Sequence, residues 1–301
     1  MRLRITHLLL IVGLLMSAVI KARAAAPDNL VQPELLADTN GVVPGKAFTV
    51  GLLLHIAPNW HVYWINPGDA GAATTLKLTL PAGFKVSEVR YPVPQKLPQP
   101  GGLTVYAYEK EVMLLVTVTP PRIMKGIQVV PISAEAAWCV CDPSQCILAR
   151  QNFNISVPVT DAAEPAHDDV FAEWESRVPI AASAAFTGMD VETIYAPGSK
   201  GGLPTVIAHW RWAPPMATYE WLPGPADDLT VTAKSVQTTG RDTTIILSAD
   251  PVKGIPPKSS MLSGVLAYYV PDSPARGVAI TLGRQQWGLP TTRPAASRAG
   301  K

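Results

Sequence analysis

Three cysteines lie within eight residues, in the run Trp138-Cys139-Val140-Cys141-Asp142-Pro143-Ser144-Gln145-Cys146, and the 301-residue chain has no others. A disulfide scaffold spreads its cysteines to close large loops, where the entropic stabilisation is larger. These three close almost nothing, and a chain of this length buries enough core to fold without staples. The cluster is therefore read for its chemistry. If Ala136 to Cys141 is extended, Cys139 and Cys141 point to one face and Trp138 and Val140 to the other. Asp142-Pro143-Ser144 supplies a turn that can return Cys146 beside Cys141, at the Cα separation of roughly 4.4 to 6.8 Å that a disulfide requires. A Cys139–Cys141 bridge would instead be a small strained ring, easily reduced. Thiol–disulfide exchange, a static disulfide and a metal site all fit this cluster. Asp142 disfavours a thiolate on Cys141, while Arg150 lies four residues beyond Cys146. On that ground Cys146 is the expected attacking thiol. Neither cysteine has an obvious helix N-terminus beside it, so exchange is expected to need a specific partner.

A second constellation is Pro58-Asn59-Trp60-His61-Val62-Tyr63-Trp64-Ile65-Asn66-Pro67-Gly68-Asp69-Ala70-Gly71. Strand alternation puts Trp60, Val62 and Trp64 on one face and His61 and Tyr63 on the other, with a Pro-Gly-Asp turn closing the strand. The plain reading is an aromatic core plug; the functional reading has His61 or Tyr63 lining the thiol site. His55 and His61 with Cys139, Cys141 and Cys146 would make a copper or zinc set, but no His-x-x-x-His or paired Cys-x-x-Cys spacing supports it. The chain has no Gly-x-Ser-x-Gly, P-loop or dinucleotide fingerprint. Trp210, Trp212 and Trp221 read most simply as core or partner-facing aromatics.

The elements that must hold these residues are strands. The chain is 48% hydrophobic and 16% charged, with 30 prolines, about double the usual share, which argues against helix bundles and coiled coils. A basic start, an apolar run from Leu8 to Met16 and Ala22-Arg23-Ala24 make a secretory signal pattern, expected to be cleaved after Ala24. Removing those residues leaves 21 basic against 23 acidic residues. That balance gives no electrostatic footprint for nucleic acid or an anionic membrane. The expected mature chain is a soluble periplasmic monomer without membrane insertion, in a compartment where thiols pair and stay paired.

Phe48 to Leu54 reads as a buried strand, and period-2 alternation marks strands at Leu76 to Leu80 and Val112 to Val118; with Ile127 to Ile132, Ala136 to Val140, Phe153 to Val157 and the aromatic run they make about seven. They predict one β-sandwich over 29–159. A linker over 160–179 contains a short helix, Asp168 to Glu175, capped by an Asp. Further strands at Thr205 to Trp212, Leu229 to Val236, Thr243 to Leu247, Leu262 to Val270 and Val278 to Leu282 predict a second β-sandwich over 180–287. The tail, 288–301, has no apolar pattern and is expected to be frayed.

The aromatic run, then Leu80-Pro81-Ala82-Gly83-Phe84, Tyr91-Pro92-Val93-Pro94, Tyr106-Ala107-Tyr108-Glu109 and the cysteine run, resembles the N-terminal periplasmic domain of the DsbD/ScsB family of thiol:disulfide interchange proteins. The resemblance covers about residues 30 to 160. The second half, with Leu262-Ser263-Gly264-Val265-Leu266, is more weakly similar to the second β-domain of the ScsB-type branch. The resemblance implies an all-β fold of immunoglobulin-like sandwiches. It also implies a cofactor-free cysteine pair that takes electrons from a membrane-embedded thiol donor and passes them to periplasmic thioredoxin-fold or disulfide-bonded proteins, a protein-disulfide reductase type of activity. Carried onto this sequence, the pair is Cys141 and Cys146. Cys139 is a third thiol that the family's simple pair lacks, and Tyr108 joins His61 and Tyr63 as a candidate lining residue. The family's membrane segment and thioredoxin-like domain do not follow in this chain, so the expected donor is a separate polypeptide. The rival readings are a non-catalytic copper-binding or copper-tolerance protein using Cys139, Cys141, Cys146 and His61, and an adaptor whose disulfide is only structural.

Overall fold

A computed structural model of the chain describes residues 30–182, 190–194, 205–210, 217–226, 228–239, 242–252 and 261–283. The expected signal segment, 1–24, and the expected tail, 288–301, lie outside the described residues, as does Trp212. The chain is all-β, with one α-helix among the described residues.

Residues 31–158 form ten strands: β1 (Val31–Ala37), β2 (Phe48–Ile56), β3 (His61–Gly68), β4 (Thr75–Thr79), β5 (Lys85–Val86), β6 (Gln95–Gln99), β7 (Leu103–Glu109), β8 (Glu111–Thr119), β9 (Val129–Cys141) and β10 (Cys146–Pro158). One sheet has the order β1-β2-β8-β5 and the other β10-β9-β3-β7-β6, with β4 also paired to β9. Side chains of both sheets, among them Val50, Leu52, Leu54, Leu114, Val116, Val62, Trp64, Ile132, Ala136, Trp138 and Val140, make one apolar core. Most of these alternate along their strands, as a half-buried sheet requires. β2 is buried on nearly every residue, as its continuous apolar run leads one to expect, and the helix α1 (Asp168–Glu175) covers its other face with Phe171 and Trp174. Gly51 belongs to that cover: a Cβ there would lie 2.7 Å from Met113 Sδ and 3.1 Å from Phe171 Cε1.

Three sequence expectations change. The seven strands become ten: β1, β5 and β6 are too short or too polar to show a clear period, β7 carries apolar or aromatic residues on both faces, and the two segments around Ser133 merge into the single strand β9. Burial alternates through Ser133 to Glu135 without a break, so no turn is needed there. The helix is present over the expected residues, but its N-cap is His167 in the left-handed region, φ 55°, rather than an Asp, with Asp168 and Asp169 in the first turn. Those acids favour the helix start through its dipole. Arg90 holds the other end, pairing with Glu175 through two bonds of 2.5 and 2.6 Å.

The second half contributes β11 (Ile180–Ala181), β12 (Asp190–Ile194), β13 (Thr205–Trp210), β14 (Thr218–Pro223), β15 (Leu229–Thr239), β16 (Asp242–Pro251), β17 (Met261–Tyr269) and β18 (Arg276–Gly283). They form two sheets, β11-β18-β17-β14 and β12-β13-β16-β15, with a core that includes Trp221, Ile245, Leu247, Leu266 and Ile280. Leu222, Val265 and Ala267 join the first core instead. Polar contacts cross at the same place: Asn66 Nδ2 donates to the Pro223 carbonyl at 2.9 Å, and Lys96 pairs with Glu220 at 2.9 Å.

Candidate functional site

The site is built on the outer face of the β10-β9-β3-β7 sheet. Asp142 to Gln145 make the β9–β10 turn. Asp142 Oδ1 accepts from the Ser144 amide at 2.7 Å, the Ser144 hydroxyl at 2.7 Å and the Gln145 amide at 2.9 Å, while the Asp142 amide donates to the Gln145 carbonyl at 3.0 Å. An aspartate that folds back on its own turn in this way fixes the hairpin, and the bonds from Ser144 hold its carboxyl below the usual carboxylate range. Because Asp142 and Gln145 form the hydrogen-bonded closing pair, the next pair outward, Cys141 opposite Cys146, is a non-hydrogen-bonded one, where the strands approach most closely. Their Cα atoms are 4.2 Å apart and the two sulfurs are joined in a disulfide.

Cys141 is buried, at 1% exposure, whereas Cys146 is exposed. Cys139 is a buried free thiol whose Sγ lies 3.5 Å from that of Cys141. Burial pushes its pKa up, opposed in part by a hydrogen bond from the Ala72 backbone. Tyr63, Val105, Ala107, Cys139 and Cys141 form a small apolar cluster of their own, with Ala70, Ala72 and Leu97 packed against it. Trp138 and Val140 point the opposite way, into the main core.

His61 stands directly opposite Cys141 in the β3–β9 ladder, and Tyr63 is two residues along the same face. Tyr63 Oη lies 3.9 Å from Cys146 Sγ and 3.2 Å from His61 Nε2. A disulfide sulfur has no proton to give, so the phenol is the donor to Cys146, and its oxygen then accepts from His61 in the Nε2–H tautomer. Burial raises the Tyr63 pKa, which keeps the phenol protonated for this role.

Burial lowers the His61 pKa below 6.5, more than Glu109 and Asp142 raise it. Between 6.5 and that lower value the unfolded chain binds the proton and the folded one does not. Stability is therefore expected to fall as pH drops through about 6.5, level off below the folded pKa, and lose this slope in His61→Gln. Unfolding by urea at several pH values checks it; a variant with the wild-type slope rules His61 out as its source.

Other expected residues are elsewhere. Tyr108 pairs with Val62 across β7 and β3, and directly opposed residues share a face. Its ring therefore lies in the main core, where its hydroxyl donates to the Pro92 carbonyl at 2.7 Å, away from the thiols. His55 is on β2 in the other sheet and pairs with Glu111 at 2.7 Å. Arg150 pairs with Glu135 at 3.5 Å. Arg150 stands four positions along β10 from Cys146, roughly 13 Å of strand, and its partner is Glu135, so Cys146 is not assigned a cation. The preference for Cys146 therefore rests on exposure and the Tyr63 phenol. Sequence reasoning also missed Leu148, which is 66% exposed and stands opposite Cys139 in the ladder. The signal was there, since a residue two beyond Cys146 on a strand shares its face.

The family profile described as the N-terminal region of thiol:disulfide interchange protein DsbD matches residues 28–158. Residues 28–158 form a DsbD-like N-terminal domain. This DsbD-like domain contains the whole cysteine cluster and every residue of the site above, and with its cysteine pair it is of the thiol:disulfide interchange type. The fold of the chain is similar to the crystal structure of the N-terminal periplasmic domain of ScsB from Proteus mirabilis, at 17% identity over 85% of this chain and 95% of that one, with a TM-score of 0.55. That alignment is longer than the DsbD-like domain, so the fold likeness reaches into the second half. The Neisseria meningitidis DsbD N-terminal domain in the reduced form aligns at 14% identity over 48% of this chain and 96% of that one, with a TM-score of 0.31. No curated protein matches the sequence.

Proposed function

We propose that this chain is a periplasmic thiol:disulfide interchange module in which Cys146 exchanges with partners and Cys141 resolves. The observation that supports it best is the asymmetry of one disulfide: an exposed sulfur-bearing residue on β10, at the end of its sheet, bonded to one that is buried. A donor thiolate attacks Cys146 Sγ, the Cys141–Cys146 bond breaks, and Cys141 leaves as a thiolate and takes a proton. The donor's second thiol then attacks its own sulfur in the mixed disulfide. That releases Cys146 and leaves the donor oxidised, with two electrons now in the cysteine pair. Run against an acceptor disulfide, Cys146 attacks first and Cys141 displaces the reduced acceptor. Tyr63 donates to Cys146 whenever that sulfur is a thiolate, and a hydrogen bond to the charged form favours it.

The donor is a membrane-embedded thiol protein, and the acceptors are periplasmic thioredoxin-fold or disulfide-bonded proteins. Within the chain, 29–159 is the redox unit and 180–287 a second β-sandwich, joined by 160–179. The mature chain begins after Ala24 and works as a monomer.

Equilibration with dithiothreitol tests the redox reading. Structural disulfides typically lie below about −300 mV, so a potential above that value is expected, and a lower one favours a static bond. Leu148 offers an apolar contact beside Cys146. Leu148→Asp is expected to slow exchange with a protein disulfide about tenfold, equivalent to about 1.4 kcal/mol of docking, without changing reduction by dithiothreitol. Equal slowing of both reactions would mean that the substitution acts on the disulfide and not on docking.

A further inference from the structure

Exchange uses two of the three sulfurs. Cys139 is buried at 4% exposure, beyond the reach of a partner, yet its Sγ faces that of Cys141 at 3.5 Å. The ligand atoms of Cys139, Cys141 and Cys146 all lie within 4.8 Å of one another. The backbone fixes this arrangement: Cys139 and Cys141 are two residues apart on one face of β9, and Cys146 is opposite Cys141 on β10. Three sulfurs placed about 2.3 Å from a central ion, the usual metal–thiolate length, stand about 4 Å from each other. In the oxidised protein the Cys139–Cys141 side is already 3.5 Å, and the Cys141–Cys146 side is the 2.00 Å disulfide, which reduction opens. The apolar side chains packed around the two buried sulfurs are Tyr63, Val105, Ala107, Ala70, Ala72 and Leu97, and among the described residues no carboxylate or imidazole joins the three sulfurs as a possible ligand. His61 stands opposite Cys141, but its Nε2 bonds the Tyr63 hydroxyl and it is not among the ligand atoms that lie within 4.8 Å of one another. Such a donor set excludes hard oxygen-seeking ions and suits soft ones.

We propose that the reduced form of this site binds one thiophilic d10 ion, of which Cu(I) is the probe, through Cys139, Cys141 and Cys146, and that the bound ion blocks disulfide exchange. The inference rests on the exchange reading in one respect, that the pair is reduced in the working cycle. Reduction by a dithiol transfers two electrons to the Cys141–Cys146 bond and leaves a thiol on each sulfur, with the dithiol oxidised to its disulfide. The ion then displaces the thiol protons to solvent. No electron moves in that step, and Cu(I) remains Cu(I). Cys139 is the ligand that raises a redox pair to a trigonal site.

The test uses the chain reduced with dithiothreitol, freed of reductant and titrated anaerobically with Cu(I) against bathocuproine disulfonate. One ion per chain is expected, with three sulfur neighbours at about 2.3 Å by X-ray absorption. Cys139→Ala and Cys139→Ser are each expected to weaken binding more than about 100-fold, beyond the range for losing an outer-shell partner. The serine variant keeps the residue small and guards against a folding defect in the other. Affinity unchanged in both variants, or two sulfur neighbours in the wild type, overturns the proposal. Exchange by the metal-free wild type is measured in parallel. Its absence together with three-sulfur binding overturns the exchange reading and upholds the metal site, whereas exchange that continues in the loaded protein overturns the block.

Discussion

Cys146→Ser abolishes disulfide exchange and leaves the fold intact: this is the largest effect expected of any single substitution. The serine hydroxyl cannot form the mixed disulfide, and removing the attacking group of a covalent mechanism lowers the rate by at least about a thousandfold. Stability should change little by comparison. The bond closes a loop of sequence separation 5, and the chain-entropy model gives about 2 kcal/mol for so short a loop. The hairpin keeps its own supports in the Asp142 bonds to Ser144 and Gln145, and the core beneath it is made by Trp138, Val140 and Ile132. Cys141→Ser should be equally inactive in turnover but should accumulate a mixed disulfide through Cys146, because the resolving thiol is gone. Circular dichroism and guanidinium unfolding check the fold, and a mixed-disulfide assay with a model protein disulfide checks the chemistry. Unfolding of the domain by either substitution would establish the static-disulfide reading instead.

Gly71→Ala should destabilise the domain by about 3 kcal/mol and displace Tyr63. Gly71 has φ of +90°, and a Cβ there would lie 2.1 Å from Tyr63 Cζ, 2.3 Å from Cε1 and 2.5 Å from Cε2. All three ring atoms belong to a side chain at 2% exposure, so the ring has no open space to enter. The chain either bears the overlap or pushes the phenol from its 3.9 Å contact with Cys146. Denaturant unfolding measures the first response. The pH dependence of Cys146 alkylation in the reduced protein measures the second, since a lost donor raises the thiol pKa. A loss of less than about 1 kcal/mol with an unchanged alkylation profile would show that the ring is not held by this glycine.

The two constellations were legible before any coordinates because strand periodicity is local. Alternation alone put Val62 and Trp64 on one face and His61 and Tyr63 on the other, and the same rule separated Trp138 and Val140 from Cys139 and Cys141; the structure makes the first of each pair of faces the core. The Asp-Pro-Ser turn was readable for the same reason, since a turn is made by residues adjacent in sequence. The rule fails where a segment is short or polar, as in β1, β5 and β6, where both faces are apolar or aromatic, as in β7, and where two segments join, as in β9.

Sequence by itself determined the all-β class, the turn that can bring Cys146 back beside Cys141, and the strand faces shared by His61 with Tyr63 and by Cys139 with Cys141. Which strands lie side by side was decided only in the tertiary structure. Register between β3, β7 and β9 placed His61 opposite Cys141 and sent Tyr108 into the core with Val62. Pairing of β9 with β10 gave Arg150 to Glu135 rather than to Cys146. The approach of Leu97, of Ala70 and of Ala72 to the thiols likewise joins residues far apart in the chain. The reason is the range of the forces: backbone geometry fixes a side chain's direction within a few residues, whereas cross-strand neighbours are chosen by burying both sheet faces at once, a condition no single segment contains.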